Sequence, residues 1–240
     1  MSADEQTITI PGHIQGYPGV AFGGYVAGLL AQRAGGDSVR VNFRRPIPVE
    51  TPVLLVETAS GAALSDAAGV VLAEALHDTD AGLTIPEPPS MAEAKAASAK
   101  AALVRQPMPY CYGCGNACPP GRGLRLYPWG VRERDQVTAA WIPDRELADA
   151  DGRLPVANIW SALDCPGGGV AIAVSGMAPG AVTAAMRVTR YQPVSAGEEY
   201  LVHAWPIAAQ GRKYTVGVAL STPDGTACAT AEALWIEPRE

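Results

Sequence analysis

The chain carries the same short marks twice, in the same order. Ala73-Glu74-Ala75-Leu76 recurs letter for letter as Ala231-Glu232-Ala233-Leu234. Earlier in each copy, Arg40–Pro46 (RVNFRRP) is matched at its Arg-Val start and its proline by Arg187–Pro193 (RVTRYQP). A glycine-rich, small-residue helical stretch precedes each pair and a terminal strand follows it. Arg40 to Arg187 is an offset of 147 residues and Ala73 to Ala231 one of 158, so the second copy holds about eleven extra residues between the marks. We read this as a duplicated unit, which limits the fold to one whose halves can pair with each other.

A chain of 240 residues has room for one large domain or two of roughly 100–120 residues. With 48% apolar and 18% charged residues it can bury a sizeable core. Its 26 glycines and 21 prolines predict many turns, hence a large share of strands. The net charge of −6 argues against broad electrostatic binding to nucleic acid or an anionic membrane, while leaving room for a local basic pocket. No stretch approaches the ~18 uncharged apolar residues of a spanning helix. The start, MSADEQTITI, lacks the basic-then-apolar order of a secretion signal. Five cysteines, three of them between 111 and 118, make a poor disulfide framework, so a cytoplasmic protein is expected.

In the first copy we expect a short strand at 6–12, a helix over 20–34, and three strands at 38–46, 53–59 and about 67–77. A loop follows at 78–91. The alanine-rich run 93–103 has too few large side chains for a core helix and reads as a surface connector. The second copy should hold strands near 123–129 and 136–142, a loop at 144–155, one helix, and strands at 181–191, 199–208, 213–221 and 226–236. The units are expected at 1–90 and 107–240, with a linker at 91–106. One helix followed by an antiparallel meander, given twice, predicts an α+β protein of two antiparallel curved sheets, each wrapped around a central helix.

That second helix, Asn158–Gly169 (NIWSALDCPGGG), carries one carboxylate, Asp164, among apolar and small residues. A lone acid there is costly to bury unless it is paired or used. It is either a working acid or a carboxylate held by local hydrogen bonds. Glu232 raises the same question: by period two it shares a strand face with Thr230, Leu234 and Ile236, as Glu74 does with Leu72 and Leu76. The presence of both glutamates favours a structural task, such as holding an arginine. Cys111, Cys114 and Cys118 invite a zinc reading, yet structural zinc wants four ligands, usually in two pairs, and no second pair follows. No metal is expected. His13, His77 and His203 form no Ser/His/Asp pattern, and the chain has neither a nucleophile elbow nor a phosphate-binding glycine loop.

These residues resemble the hotdog-fold thioesterase superfamily in its tandem, double hotdog form. The second unit is similar to phenylacetate-pathway-type thioesterases through CYGCG (111–115), Gly123-Leu124-Arg125-Leu126, Leu163-Asp164 and the run into Arg187–Pro193. In the first unit Gly19–Gly24 (GVAFGG) resembles the family's His-Gly-Gly helix entry, with Phe22 in place of the histidine and Ala31-Gln32 where the acid would stand. The second unit keeps the acid and has Ile159-Trp160 in place of the two glycines. Each half therefore lacks what the other retains.

The resemblance implies a cytoplasmic acyl-CoA thioesterase with a single composite site between the units. Gly23 and Gly24 would supply amide donors, Asp164 the base or nucleophile, and Thr183 would assist. A more distant similarity to tandem long-chain acyl-CoA thioesterases places Thr183 and Glu232 where those proteins hold water with Thr and Gln. Arg44, Arg45 and Arg190 are candidates for the phosphates of coenzyme A. The substrate is then a small acyl-CoA-type molecule, with no further cofactor, and homo-oligomer formation stays open. The alternative is a non-catalytic double hotdog that binds acyl-CoA or another small ligand, to which the loss of the histidine at Phe22 points.

Overall fold

Val39 and Val41 are buried while Arg40 and Asn42 between them are not, the alternation of a strand with one covered face. That strand, β2 (Ser38–Phe43), holds the middle of the molecule in our computed structural model. The structure describes residues 5–79, 82–104, 107–131 and 134–239. The start of the N-terminal reading (1–4), part of the 78–91 loop (80–81), the end of the linker (105–106) and residue 240 lie outside the described residues, as do 132–133.

The first half comprises β1 (Glu5–Thr9), α1 (Gly23–Ala34), β2, β3 (Pro52–Thr58), β4 (Gly61–Ser65) and β5 (Val71–His77). Helix α2 (Met91–Leu103) follows. The second half comprises β6 (Trp129–Gly130), β7 (Val137–Trp141), α3 (Val156–Ala162), α4 (Cys165–Ala173), β8 (Val182–Arg190), β9 (Tyr200–Gln210), β10 (Lys213–Ser221) and β11 (Ala227–Ile236). All pairings are antiparallel, in the order β1-β3-β4-β5-β2-β8-β11-β10-β9-β7-β6.

The repeated marks meet at the centre. β2 and β8 run antiparallel with Val39 opposite Val188, Arg40 opposite Arg187 and Val41 opposite Met186. The two Ala-Glu-Ala-Leu strands flank them, β5 beside β2 and β11 beside β8. An expected pair of sheets is thus, among the described residues, one sheet of eleven strands. Open edges of β2 and β8 would leave backbone groups unpaired, and pairing them with each other removes both edges.

Three local expectations change. Residues 61–65 form a strand that was not foreseen, because Ala-rich GAALS has little strand character by itself; a tight hairpin after β3 carries it. Only Trp129–Gly130 of the 123–129 run is strand. The rest is irregular chain tied to the cysteine loop by Leu124 N–H to the Tyr112 carbonyl (2.7 Å) and Leu126 N–H to that of Gly113 (3.0 Å). The alanine-rich helix α2 is more than a surface connector. A Ser90/Glu93 capping box starts it, and Ala94, Ala97 and Ala101 are buried on its inner side, where Ser98 bonds the backbone of Ala140 in β7. Small side chains let it lie close to the strand. No described helix is long and apolar enough to cross a membrane.

Helices α1 and α4 pack against the sheet, α1 on the strands of the first half and α4 on those of the second. Gly168 of α4 lies so near Trp235 that a Cβ there would sit 2.8 Å from the indole. Trp235 therefore faces the helix, and Glu232, three residues earlier, faces the other way. On that outer face His203 and Trp205 stack at 5.2 Å and are buried. Gln136, also buried, donates to the Glu87 carbonyl at 3.2 Å, which ties the segment before α2 to the second half.

Candidate functional site

Where α1 crosses α3, both helices present small residues. A Cβ on Gly28 would lie 2.4 Å from Ala157 Cα, and one on Gly24 would lie 2.8 Å from Ser161 Cα and from Asp164 Cβ. The backbones can approach this closely only because position i and i+4 of α1 are both glycine. Close approach at Gly28 sets the crossing; at Gly24 it brings the helix start onto the acid.

The single helix expected over 158–169 is broken. Pro166 lacks an N–H, and its ring would meet the carbonyl four residues earlier, that of Ala162, so α3 ends there and α4 begins at Cys165. Asp164 stands at the break. Its carbonyl accepts from Gly167 (3.0 Å) and Gly168 (3.3 Å), starting α4, while its side chain turns away toward the other half. A proline two residues past the acid was the signal of the break in the sequence.

Asp164 is 2% exposed. Gly24 N–H donates to its Oδ2 at 2.7 Å, and the Thr183 hydroxyl donates to its Oδ1 at 2.7 Å. Gly23 flanks the same oxygen: a Cβ there would be 3.2 Å from Oδ2. The four residues expected to act together are therefore together. The Gly24 amide is spent on the carboxylate, while the Gly23 amide beside it, at the first helical position, has no intrahelical acceptor. Burial pushes the Asp164 carboxyl up to about 6, against the Thr183 and Gly24 hydrogen bonds, which favour its charged form. Gly23, Thr183 and Cys165 around it are half-buried.

Other expected site residues lie elsewhere. Glu232 is on the outer sheet face, opposite Arg187 and Gly217, away from α4. Glu74, on the corresponding strand, forms an ion pair with Arg44. Arg190 bonds the Gly36 carbonyl (2.8 Å) and Asp37 (3.3 Å) and lines a surface cavity of about 570 Å³ with Arg153 and Tyr191. Asp164 does not line that cavity. Arg45 is exposed, on the loop whose Ile47 carbonyl accepts from Ala21 N–H at 2.8 Å beside the start of α1.

The cysteine loop packs over this region. Tyr112 meets Phe22 and Tyr25 at centroid distances of 6.0 and 5.6 Å, and its hydroxyl donates to Asn158 at 2.7 Å. Gly113 is needed for the approach: a Cβ there would be 2.6 Å from Cys165 Sγ and 2.8 Å from the Phe22 ring. The loop thereby sets Cys111 Sγ 3.7 Å from Cys165 Sγ, with Cys114 beside both. Cys111 is held well below the usual thiol range by the thiols of Cys114 and Cys165 directed at it; their bonds to Cys111 in turn push both of those upward. Cys118 stands apart and donates to the Cys111 carbonyl at 3.4 Å. Sequence reading missed Cys165, which is 54 positions from Cys111 and joins it only through the fold.

Comparison with known proteins follows this geometry. No family model and no curated protein matches the sequence. Among solved structures, a conserved protein of unknown function with hot dog fold from Alicyclobacillus acidocaldarius aligns over 100% of this chain and 95% of its own, at TM-score 0.65 and 13% identity. The chain has the hotdog fold. Other solved structures also align over nearly the whole chain. A tesB protein from Mycobacterium avium subspecies paratuberculosis covers 98% of this chain and 93% of its own, at TM-score 0.63 and 14% identity. A candidate oleoyl thioesterase from Lactobacillus plantarum covers 100% and 98%, at TM-score 0.60 and 11% identity. At these identities the likeness is one of fold.

Proposed function

We propose that the chain is a tandem, double hotdog hydrolase of acyl-CoA thioesters with one composite site. The observation that carries the reading is the bond from the Gly24 amide of one half to the Asp164 carboxylate of the other. A buried carboxylate braced by two donors keeps lone pairs on both oxygens. It can take a proton from water as that water attacks the thioester carbonyl carbon. The carbonyl π pair moves onto oxygen, where the Gly23 amide, at the positive end of α1, stabilises it. Collapse of the tetrahedral adduct breaks the C–S bond. Coenzyme A then leaves as its thiolate and is protonated, and the acyl group leaves as the acid. Thr183 fixes which way the carboxylate points. Arg45, exposed near the start of α1, is the arginine best placed for a coenzyme A phosphate; Arg44 and Arg190 already have protein partners.

Hydrolysis of an acyl-CoA panel by wild type and Asp164→Ala tests the reading. The variant should lose roughly 10²–10⁴-fold in kcat/KM, the usual worth of a positioned base. Equal rates would remove Asp164 from the mechanism. A second reading, an acyl-binding protein without turnover, draws on Phe22, buried where the resembling family carries histidine. Tight acyl-CoA binding with no product would select it.

A further inference from the structure

The thioesterase reading leaves three sulfurs unused. Cys111, Cys114 and Cys165 place their Sγ atoms within 4.8 Å of one another. We propose that these three cysteines form a metal site that takes one zinc ion, with a fourth position open to solvent.

Geometry favours a metal over a disulfide. Thiolate sulfurs about 2.3 Å from a tetrahedral zinc lie about 3.8 Å from each other. Cys111 and Cys165 stand at 3.7 Å. A disulfide needs about 2.05 Å, joins only two of the three, and leaves the last beside it. Cys111-x-x-Cys114 has the two-residue spacing by which zinc ribbons and knuckles hold one side of the ion. The third sulfur stands at the first position of α4, a rigid element facing the loop.

The backbone is shaped around this arrangement. Gly113 lets the loop reach Cys165, and Gly115 lets it turn back: a Cβ there would lie 2.5–2.6 Å from the Pro109 carbonyl and the Cys111 backbone. Asp164 is not the fourth ligand: the ligand atoms lying within 4.8 Å of one another are those of Cys111, Cys114 and Cys165 alone among the described residues. Cys114 and Cys165 are half-buried residues while Cys111 is covered, and a water molecule would complete the tetrahedron.

Such an ion has structural work to do. The described chain from 107 to 128 has no helix or strand, yet carries buried Cys111, Tyr112, Leu124 and Leu126. A stretch that irregular inside a core needs a tie, and a metal bridging 111–114 to the start of α4 is one. The site stands on its own and does not depend on thioester cleavage.

Cobalt(II) reports the ligands directly. Full-length protein, stripped with chelator and kept reduced, is titrated with Co²⁺ and then with Zn²⁺. We expect one equivalent of Co²⁺, an intense near-ultraviolet thiolate-to-cobalt band, tetrahedral visible bands, and displacement by one equivalent of Zn²⁺. Cys165→Ser and Cys114→Ser should each weaken binding by more than the ~10–100-fold of a lost supporting contact. Cys118→Ser, the neighbouring thiol outside the cluster, should bind as wild type does. Reduced wild type that takes up no Co²⁺, or takes it up without the thiolate band, overturns the proposal whether or not the variants fold. So does a Cys118→Ser loss equal to that of Cys165→Ser.

Discussion

Helix α1 and the α3–α4 pair cross each other at the acid and are built differently. α1 runs unbroken for 12 residues, opens on two glycines and carries no acid. Its counterpart stops after 7 residues, turns at Leu163-Asp164, and restarts on a cysteine and a proline. The glycines give the first helix a backbone that can be approached; the proline gives the second a carboxylate that points outward from its own axis. Neither half holds the pair alone. The glycines come from one helix and the carboxylate from the other, joined by the Gly24 N–H to Asp164 bond.

If the crossing of these helices builds the site, filling it should do the most damage. Gly28→Ala adds a methyl whose carbon would lie 2.4 Å from Ala157 Cα, backbone that cannot rotate aside. The expected cost is at or beyond the ~3 kcal/mol upper end of ordinary overpacking, read as a lower urea midpoint at unchanged slope. The equivalent crowding in an open turn, Gly69→Ala, has nothing within 4 Å to meet and differs in kind: only its positive φ of 78° opposes it.

The break in the second helix is sharpened by Pro166→Ala. Restoring an N–H lets α3 run on toward α4 and turns Asp164 from its partners. A misplacement of about 1 Å costs on the order of 10²-fold in kcat/KM. Stability should change little, since a proline at the start of α4 forgoes no intrahelical bond there. Loss of activity and of stability together would mean the proline only supports the fold.

A smaller contrast concerns the outer faces. In the first half Arg40 and Glu74 stay half-buried; in the second, His203 is 1% exposed. Burial pulls its imidazole down to about 4, partly offset by the nearby Pro86 carbonyl. The unfolded chain, with a pKa of about 6.5, therefore binds the proton first. Stability from this group is intact above pH 6.5 and falls as pH drops toward 4, by on the order of 2–3 kcal/mol. His203→Gln should flatten the slope of urea stability across that window, and an unchanged slope would assign it to other groups.

Much of this could be read from the residues. The apolar spacing of Val26, Leu29 and Leu30 foretold α1, and the repeated RV…P and AEAL marks fall on strands that pair at the centre of the sheet. Gly23, Gly24, Thr183 and Asp164 were named together, and the fold brings them within hydrogen-bond reach of one acid. What escaped depends on contacts far apart in sequence. Periodicity says which face of a strand is covered, not which strand lies beside it, so the joining of β2 to β8 into one sheet was invisible. Period two groups Glu232 with Thr230, Leu234 and Ile236 but does not say which way that face looks; Trp235 against Gly168 turns it away from the helix. Cys165 was overlooked as a partner of Cys111 because no local spacing links them.

The central claim is that a thioester lies between the start of α1 and Asp164. A crystal structure with a non-hydrolysable acyl-CoA analogue tests it most directly. The account predicts the analogue's carbonyl oxygen within hydrogen-bond distance of the Gly23 amide, its carbonyl carbon facing Asp164, and its phosphates toward Arg45. Density for the ligand in the Arg153–Arg190 cavity, with nothing beside Asp164, would contradict it.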